Sequence, residues 1–272
     1  MKLNNGLDIP QIGVGTWTLR DSVATQNVRL ALQAGFRHID TAQGYDNEKE
    51  VGDGIRLSGV QRENIFLTTK VATNIMREDE ATIRRSIDES LEKLQTSYLD
   101  LLLIHWPVKD CVRKTWQIME DYVRMGKVRS IGVSNFNRHH LDDLLEYASV
   151  RPVLNQIEVH PLMSQEDNIA YNRSLGIQVQ AWGPFGQGDI DVMGNDVIRS
   201  LAHKYGKTPS QIVLRWIVQR GLITIPRAKP NHFAENLEIF SFELDDADMT
   251  LIAGLNQNLR SNKFNDPETF PW

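Results

Sequence analysis

Along this chain, short unbroken apolar runs rich in β-branched residues alternate with longer amphipathic stretches. The runs are Ile12–Gly15, Phe36–Ile39, Ile65–Thr69, Leu99–Ile104, Val128–Val133, Val153–Ile157, Ile177–Gln180 and Leu222–Ile225. Most lack polar alternation, which is the pattern of strands buried on both faces of a parallel sheet. Helical spacing fills the intervals. Thr82–Leu94 sets Ile83, Ile87, Leu91 and Leu94 on one stripe. Asn137 can cap a helix running through Leu141, Leu144 and Leu145. Pro209 opens another over Ser210–Val218. Eight strand-then-helix units in 272 residues predict an α/β fold, a (β/α)8 TIM barrel, as one domain over residues 1–272. An open, doubly wound sheet is the competing arrangement with the same rhythm. Lys2–Gln11 reads as a β-hairpin turning at Asn5-Gly6, placed to close the bottom of the barrel. Asn256–Trp272 carries little periodicity and reads as a surface loop.

Composition narrows the partners. With 41% hydrophobic residues the chain can build a large core. A net charge of −5 gives no basic footprint for nucleic acid or an anionic membrane. The single cysteine, Cys111, cannot pair internally and suits a reducing cytosol. No apolar stretch reaches the length of a secretory signal core or of a membrane helix. The expectation is a cytoplasmic monomer acting on small molecules.

Several familiar motifs fail. Gly13-Val14-Gly15 meets Thr18 where a dinucleotide fingerprint needs a third glycine, and Gly186 and Gly188 meet Asp191. Asp189 and Asp191 miss the spacing of a calcium loop. No metal site is expected: of seven histidines only His139 and His140 are close in sequence, and adjacent helical residues do not share a face. Cys111, with no base staged beside it, reads as an ordinary helix residue.

What remains is a constellation. Asp40 follows the second run, with Tyr45 five residues on, Lys70 ends the third and His105 ends the fourth. Taken singly, Asp40 could be a cap, Lys70 a solvated strand end and His105 a satisfied polar residue. In a barrel, all four gather at the C-terminal face, where barrel enzymes carry their chemistry. They suit carbonyl reduction, because hydride attack builds charge on oxygen and calls for an acid there. A phenol is a weak acid unless a cation favours its phenolate. Lys70 can supply that cation, Asp40 can hold the ammonium, and His105 can donate a hydrogen bond to the carbonyl.

Five segments carry a family resemblance: GFRHIDTAQGYDNEKEVG (35–52), FLTTKV (66–71), LLLIHWP (101–107), GKVRSIGVSNF (126–136) and NQIEVHP (155–161). Together they resemble the aldo-keto reductases, over nearly the whole chain. QAWGPFGQG (180–188) is similar to bacterial diketogluconate reductases and their relatives. The resemblance implies a barrel that uses NADP(H), with NAD(H) as a significant alternative, to reduce aldehydes and ketones: small aldehydes, α-dicarbonyls or keto sugars. It places the catalytic tetrad on Asp40, Tyr45, Lys70 and His105. It also implies that Ser134, Asn135 and Gln156 bind the nicotinamide carboxamide and that Trp182, followed by Gly183, stacks on the ring. Glu235 and Asn236 fall on the adenine side. Trp17, Trp106 and Trp272 would wall an apolar substrate pocket. The alternative within the family is a non-catalytic or slow cofactor-sensing relative; a sugar isomerase or lyase barrel would need metal ligands or a Schiff-base lysine.

The chain departs from the family pattern in three places. The segment after His105 is short, and Val71-Ala72-Thr73 follows Lys70 where many members carry a tryptophan. A more open, less selective pocket is expected. The loop IPRAKPNHFAEN (225–236) is one residue short. Arg227 and Lys229 keep cations for the 2′-phosphate, but Ala228 lacks a hydroxyl and His232 stands where arginine is expected, so NADPH preference should be weak.

Overall fold

The computed structural model describes residues 1–270. Eight parallel strands pair in sequence order. They are β1 (Val14–Gly15), β2 (His38–Asp40), β3 (Phe66–Val71), β4 (Leu101–Ile104), β5 (Ile131–Ser134), β6 (Leu154–Glu158), β7 (Gln178–Trp182) and β8 (Ile223–Thr224). A parallel bridge from Ile12 to Thr224 joins the last strand to the first and closes the barrel. The open doubly wound alternative is thereby excluded, and all eight runs read from the sequence carry the strands.

Helices α1 (Asp21–Ala34), α2 (Glu48–Ser58), α3 (Thr73–Met76), α4 (Glu80–Lys93) and α5 (Val112–Arg124) cover the first half. α6 (Arg138–Tyr147), α7 (Glu166–Ser174), α8 (Asp196–Tyr205), α9 (Pro209–Gln219), α10 (Phe233–Leu237) and α11 (Asp246–Ala253) cover the second. Their starts follow from local chemistry. The Asp79 carboxylate accepts the Thr82 N–H and caps α4, and Thr208 and Gln211 form a reciprocal box at α9, where Pro209 takes the first helical position. On α4 the stripe Ile83, Ile87 and Leu91 is buried as the spacing requires.

The absence of polar alternation has a simple cause: both faces of each strand are covered. On β4, Leu101 and Leu103 point into the barrel and pack with Phe66, Leu154 and Ile223. Leu102 and Ile104 point outward into the layer shared with Ile83, Ile87 and Trp116. The hairpin expected at the N-terminus forms, with Lys2 and Asp8 bridged antiparallel. Leu3 and Ile9 from it join the Phe66 cluster and plug the bottom. The glycines that mimicked a dinucleotide fingerprint serve packing. A Cβ on Gly13 would lie 2.7 Å from the His38 ring, and one on Gly15 would lie 3.0 Å from the Ile225 carbonyl oxygen.

The C-terminal segment departs from the expected passive surface loop. Ser261 is buried, and its N–H donates to Glu158 at the end of β6 at 2.7 Å. Phe270 stacks on Trp106, with ring centroids 3.9 Å apart. Hydrophobic spacing cannot reveal such a segment, because it is held by isolated contacts to strand ends. None of the described helices is long and apolar enough to cross a membrane.

Candidate active site

The period of two along a strand decides what faces the barrel interior. Phe66, Thr68 and Lys70 share the inner face of β3, so the lysine that ends this series emerges at the C-terminal mouth. His38 and Asp40 do the same on β2, where Asp40 pairs in register with Thr68. Lys70 and Asp40 are both fully buried, and their ion pair measures 2.5 Å. The ammonium also donates to the Thr41 carbonyl at 2.8 Å and to the Tyr45 hydroxyl at 3.3 Å. Tyr45 sits on a 3-10 turn, Gln43–Tyr45, just after β2. Gln156, from the inner face of β6, donates to the second Asp40 oxygen at 2.7 Å. His105 stands edge-on to the Tyr45 ring, centroids 5.6 Å apart. The four residues singled out in the sequence therefore meet at one point. The Thr41 carbonyl and the Gln156–Asp40 bond were missed; the first is a backbone group and the second spans 116 residues.

Electrostatics follow from burial and the pair. Burial would lower the Lys70 pKa, but the charges and hydrogen bonds of Asp40 and Tyr45 outweigh it, so the lysine is raised and stays an ammonium. Burial raises Asp40 against the pull of Lys70 and Gln156. For Tyr45, burial raises the pKa, Lys70 pulls it down and Asp40 pushes it up; the net direction is upward. The expected acidifying effect of Lys70 is present in sign, but desolvation is the largest influence and Asp40 opposes the cation, so the net direction is upward. Burial, with Lys70 second, pushes His105 down to about 3, so its imidazole is neutral at physiological pH.

Asp40, Tyr45, His105 and Gln156 lie in the floor of a cavity of about 840 Å³ at the C-terminal mouth, and Lys70 is buried behind them. Its walls include Trp17, Trp106, Ser134, Asn135, Trp182, Gly183, Phe185 and Phe270. Asn135 donates to the Ser134 hydroxyl at 3.1 Å and to the His105 carbonyl at 3.0 Å, and the Trp182 indole N–H donates to Asn135 at 2.9 Å. Ser134, Asn135, Gln156 and Trp182 thus form one connected wall beside Tyr45. Trp17 and Trp106 line the cavity as expected, while Trp272 lies outside the described residues. Above Trp106 the cavity is bounded by a second aromatic ring. Phe270, which the sequence reading missed, covers that indole.

Arg227 reaches the cavity rim, where its guanidinium donates to the Thr18 hydroxyl. Lys229 and His232 are exposed on the loop beyond it, outside the cavity lining. His232 is not free to point outward as an independent cation site: its Nδ1 lies 2.8 Å from a Glu235 carboxylate oxygen. Asn236 is buried at the foot of this loop, and its side-chain oxygen has no hydrogen-bond partner. The histidines dismissed as facing apart are close: the His139 and His140 ring centroids are 3.9 Å apart. At the first turn of α6 the His140 ring folds back, its Nδ1 accepting the Asn137 N–H at 3.1 Å, and this brings it against its neighbour.

Comparison with known proteins agrees with this architecture. The sequence profile described as "Aldo/keto reductase family" matches residues 11–257. A glyoxal reductase of Bacillus subtilis is 43% identical over 264 residues, covering 96% of this chain and 94% of that protein. Methylglyoxal reductase DkgA of Escherichia coli is 41% identical over 273 residues, covering 99% and 97%. A crystal structure of a Bombyx mori aldo-keto reductase in complex with NADP superposes with a TM-score of 0.91 at 36% identity, covering 100% of this chain and 97% of that one.

Proposed function

The chain belongs to the aldo/keto reductase family and is an NAD(P)H-dependent oxidoreductase, and from that premise we propose that it reduces small aldehydes and α-dicarbonyls to alcohols with Tyr45 as the proton donor. One observation carries the reading. A buried ammonium is shared among Asp40, the Thr41 carbonyl and the Tyr45 hydroxyl at the floor of a cavity, beside a neutral imidazole.

The residues along one wall fit a nicotinamide. Ser134, Asn135 and Gln156 offer a hydroxyl and two amides for its carboxamide, and the half-buried Trp182 indole offers a face for its ring. Because the Gln156 nitrogen is engaged by Asp40, its oxygen is the atom left to accept from the carboxamide. Asn236, with an unsatisfied buried oxygen, and Glu235 stand on the adenine side, and Gly183 lets the backbone turn after β7 with φ at +62°. When bound, the cofactor supplies a hydride to the carbonyl carbon.

The protein's own groups handle the oxygen. A carbonyl at the cavity floor lies within reach of the Tyr45 hydroxyl and the His105 imidazole, whose single N–H donates a hydrogen bond to it. As negative charge grows on that oxygen, Tyr45 passes its proton across. A phenol with a raised pKa is still a far stronger acid than the alcohol formed. The phenolate left behind is stabilised by Lys70, which Asp40 and Thr41 hold in place. Resting burial keeps the proton on the tyrosine; the cation matters most once the proton has left.

The cofactor preference follows from the rim. Arg227 and Lys229 attract a 2′-phosphate, while the Glu235 carboxylate beside His232 repels one. NADPH binding with a weak preference, and substantial NADH turnover, are therefore expected. The intact tetrad disfavours the non-catalytic or cofactor-sensing alternative. The test is steady-state turnover of the purified chain with each cofactor on glyoxal, methylglyoxal and a bulky ketosteroid. Efficient reduction of the two small dicarbonyls supports the proposal. Absence of turnover with both cofactors would overturn the enzyme, and high efficiency on the ketosteroid alone would overturn the substrate class.

A further inference from the structure

We propose that His139, His140 and Glu268 bind a divalent transition-metal ion, and that its occupancy fastens the C-terminal segment over the cavity. The two histidines stand in the first turn of α6, and Glu268 comes from the far end of the chain. One ligand atom from each lies within 4.8 Å of the others. The His139 Nε2 is 3.5 Å from one Glu268 oxygen. The other Glu268 oxygen accepts from the Asn137 amide, which orients the carboxylate as outer-shell partners of metal ligands do.

The donor set selects the metal class. Two imidazoles and a carboxylate suit Zn²⁺, with bonds of about 2.0–2.2 Å and a position left for water. Ligand atoms in such a tetrahedron stand about 3.4 Å apart, so a side chain must swing in by roughly an ångström from the separations seen. His139 and Glu268 are 63% and 48% exposed and free to make that movement. One local bond is lost. The His140 Nδ1 lone pair receives the Asn137 N–H, and coordination through either ring nitrogen ends that arrangement, because the other nitrogen must then carry the proton. Losing one such bond weakens binding by about tenfold.

The site reaches the cavity through two residues of chain. Glu268 precedes Phe270, whose ring stacks on Trp106 at 3.9 Å, and both aromatics line the cavity. Holding Glu268 against α6 holds Phe270 on Trp106 and slows exchange through the mouth. This second half rests on the reading of the cavity as the substrate site, whereas metal binding does not.

Calorimetric titration of the metal-free chain with Zn²⁺ tests the site directly. One ion per chain should bind, and His139→Ala and Glu268→Gln should each weaken it at least tenfold. Absent binding, or binding unaffected by both substitutions, would overturn the site. Carbonyl reduction is then measured with and without saturating Zn²⁺. Turnover of the native chain should fall severalfold, whereas His139→Ala, unchanged in metal-free activity, should be insensitive. Binding that leaves native turnover unchanged would overturn the latch while sparing the site. A chain inactive under all conditions would count against the reductase reading, and the calorimetry would still decide the site.

Discussion

The floor of the cavity and its rim are built from different materials. At the floor, Lys70, Asp40 and Gln156 project from strands, are buried, and bond to one another. At the rim and on the loop beyond it, Arg227, Lys229 and His232 are exposed; Arg227 meets Thr18, and His232 meets Glu235 and Asn231. Charge in the floor is poorly screened, so removing one group should change rates by orders of magnitude. Charge at the rim is screened by water and salt, so each group should contribute a modest factor. The difference implies that chemistry and cofactor choice can vary independently.

The largest effect is expected at the floor, from Tyr45→Phe. The ring and its contact with His105 remain, and the proton donor is gone, so reduction should fall by about 10²-fold or more. Stability should change little, since Lys70 retains Asp40 and the Thr41 carbonyl. In the native chain the acid form of Tyr45 is required and burial raises its pKa. Turnover should therefore stay level through neutral pH and decline only above the ordinary phenol value of about 10. A variant with near-native kcat, or a decline near pH 8, would remove Tyr45 from this role.

Lys70→Met should reduce turnover comparably and also weaken the fold. It leaves the Asp40 carboxylate buried without its cation, which costs about 3–5 kcal/mol at neutral pH. The sign with pH is fixed by burial. An unpaired buried carboxyl has a folded pKa above its unfolded value, so the deficit is fully present at neutral pH and shrinks as the carboxyl protonates on acidification. Denaturant unfolding at pH 7 and pH 5 measures this. A deficit that grows towards pH 5 would show that Asp40 has found another partner.

The smallest effect belongs to the rim. His232→Arg should lower the KM for NADPH by roughly three- to tenfold and leave NADH nearly unchanged, the exposed setting reducing what one charge contributes. Glu235 competes for the new guanidinium, as it now holds the imidazole, which also limits the gain. Kinetics with both cofactors on one substrate provide the check. Equal changes for both would place His232 away from the 2′ position, and a native preference above about 10³-fold would show an undiminished phosphate site.

Legibility in the sequence followed the same division. Strand spacing was enough to bring Asp40, Tyr45, Lys70 and His105 together, because they stand at or just beyond the ends of adjacent parallel strands and the period of two turns Asp40 and Lys70 inward. The eight strands were readable because burial on both faces writes continuous apolar runs, and the N-terminal plug because Asn5-Gly6 marks its turn. The C-terminal segment was not readable. Its anchors include Ser261 on Glu158 and Phe270 on Trp106, contacts between residues about 100 or more positions apart. The nearness of His139 and His140 escaped for a related reason, since it depends on one ring turning back to cap its own helix.

Sequence periodicity thus settles which face each residue presents, because that choice is local and repeated. Tertiary structure alone settles three things here: that Asp40 opposes the Lys70 field at Tyr45, that Phe270 covers Trp106, and that Glu268 lies close to two histidines. Each depends on distances between distant segments, and electrostatic and packing energies change steeply with just those distances.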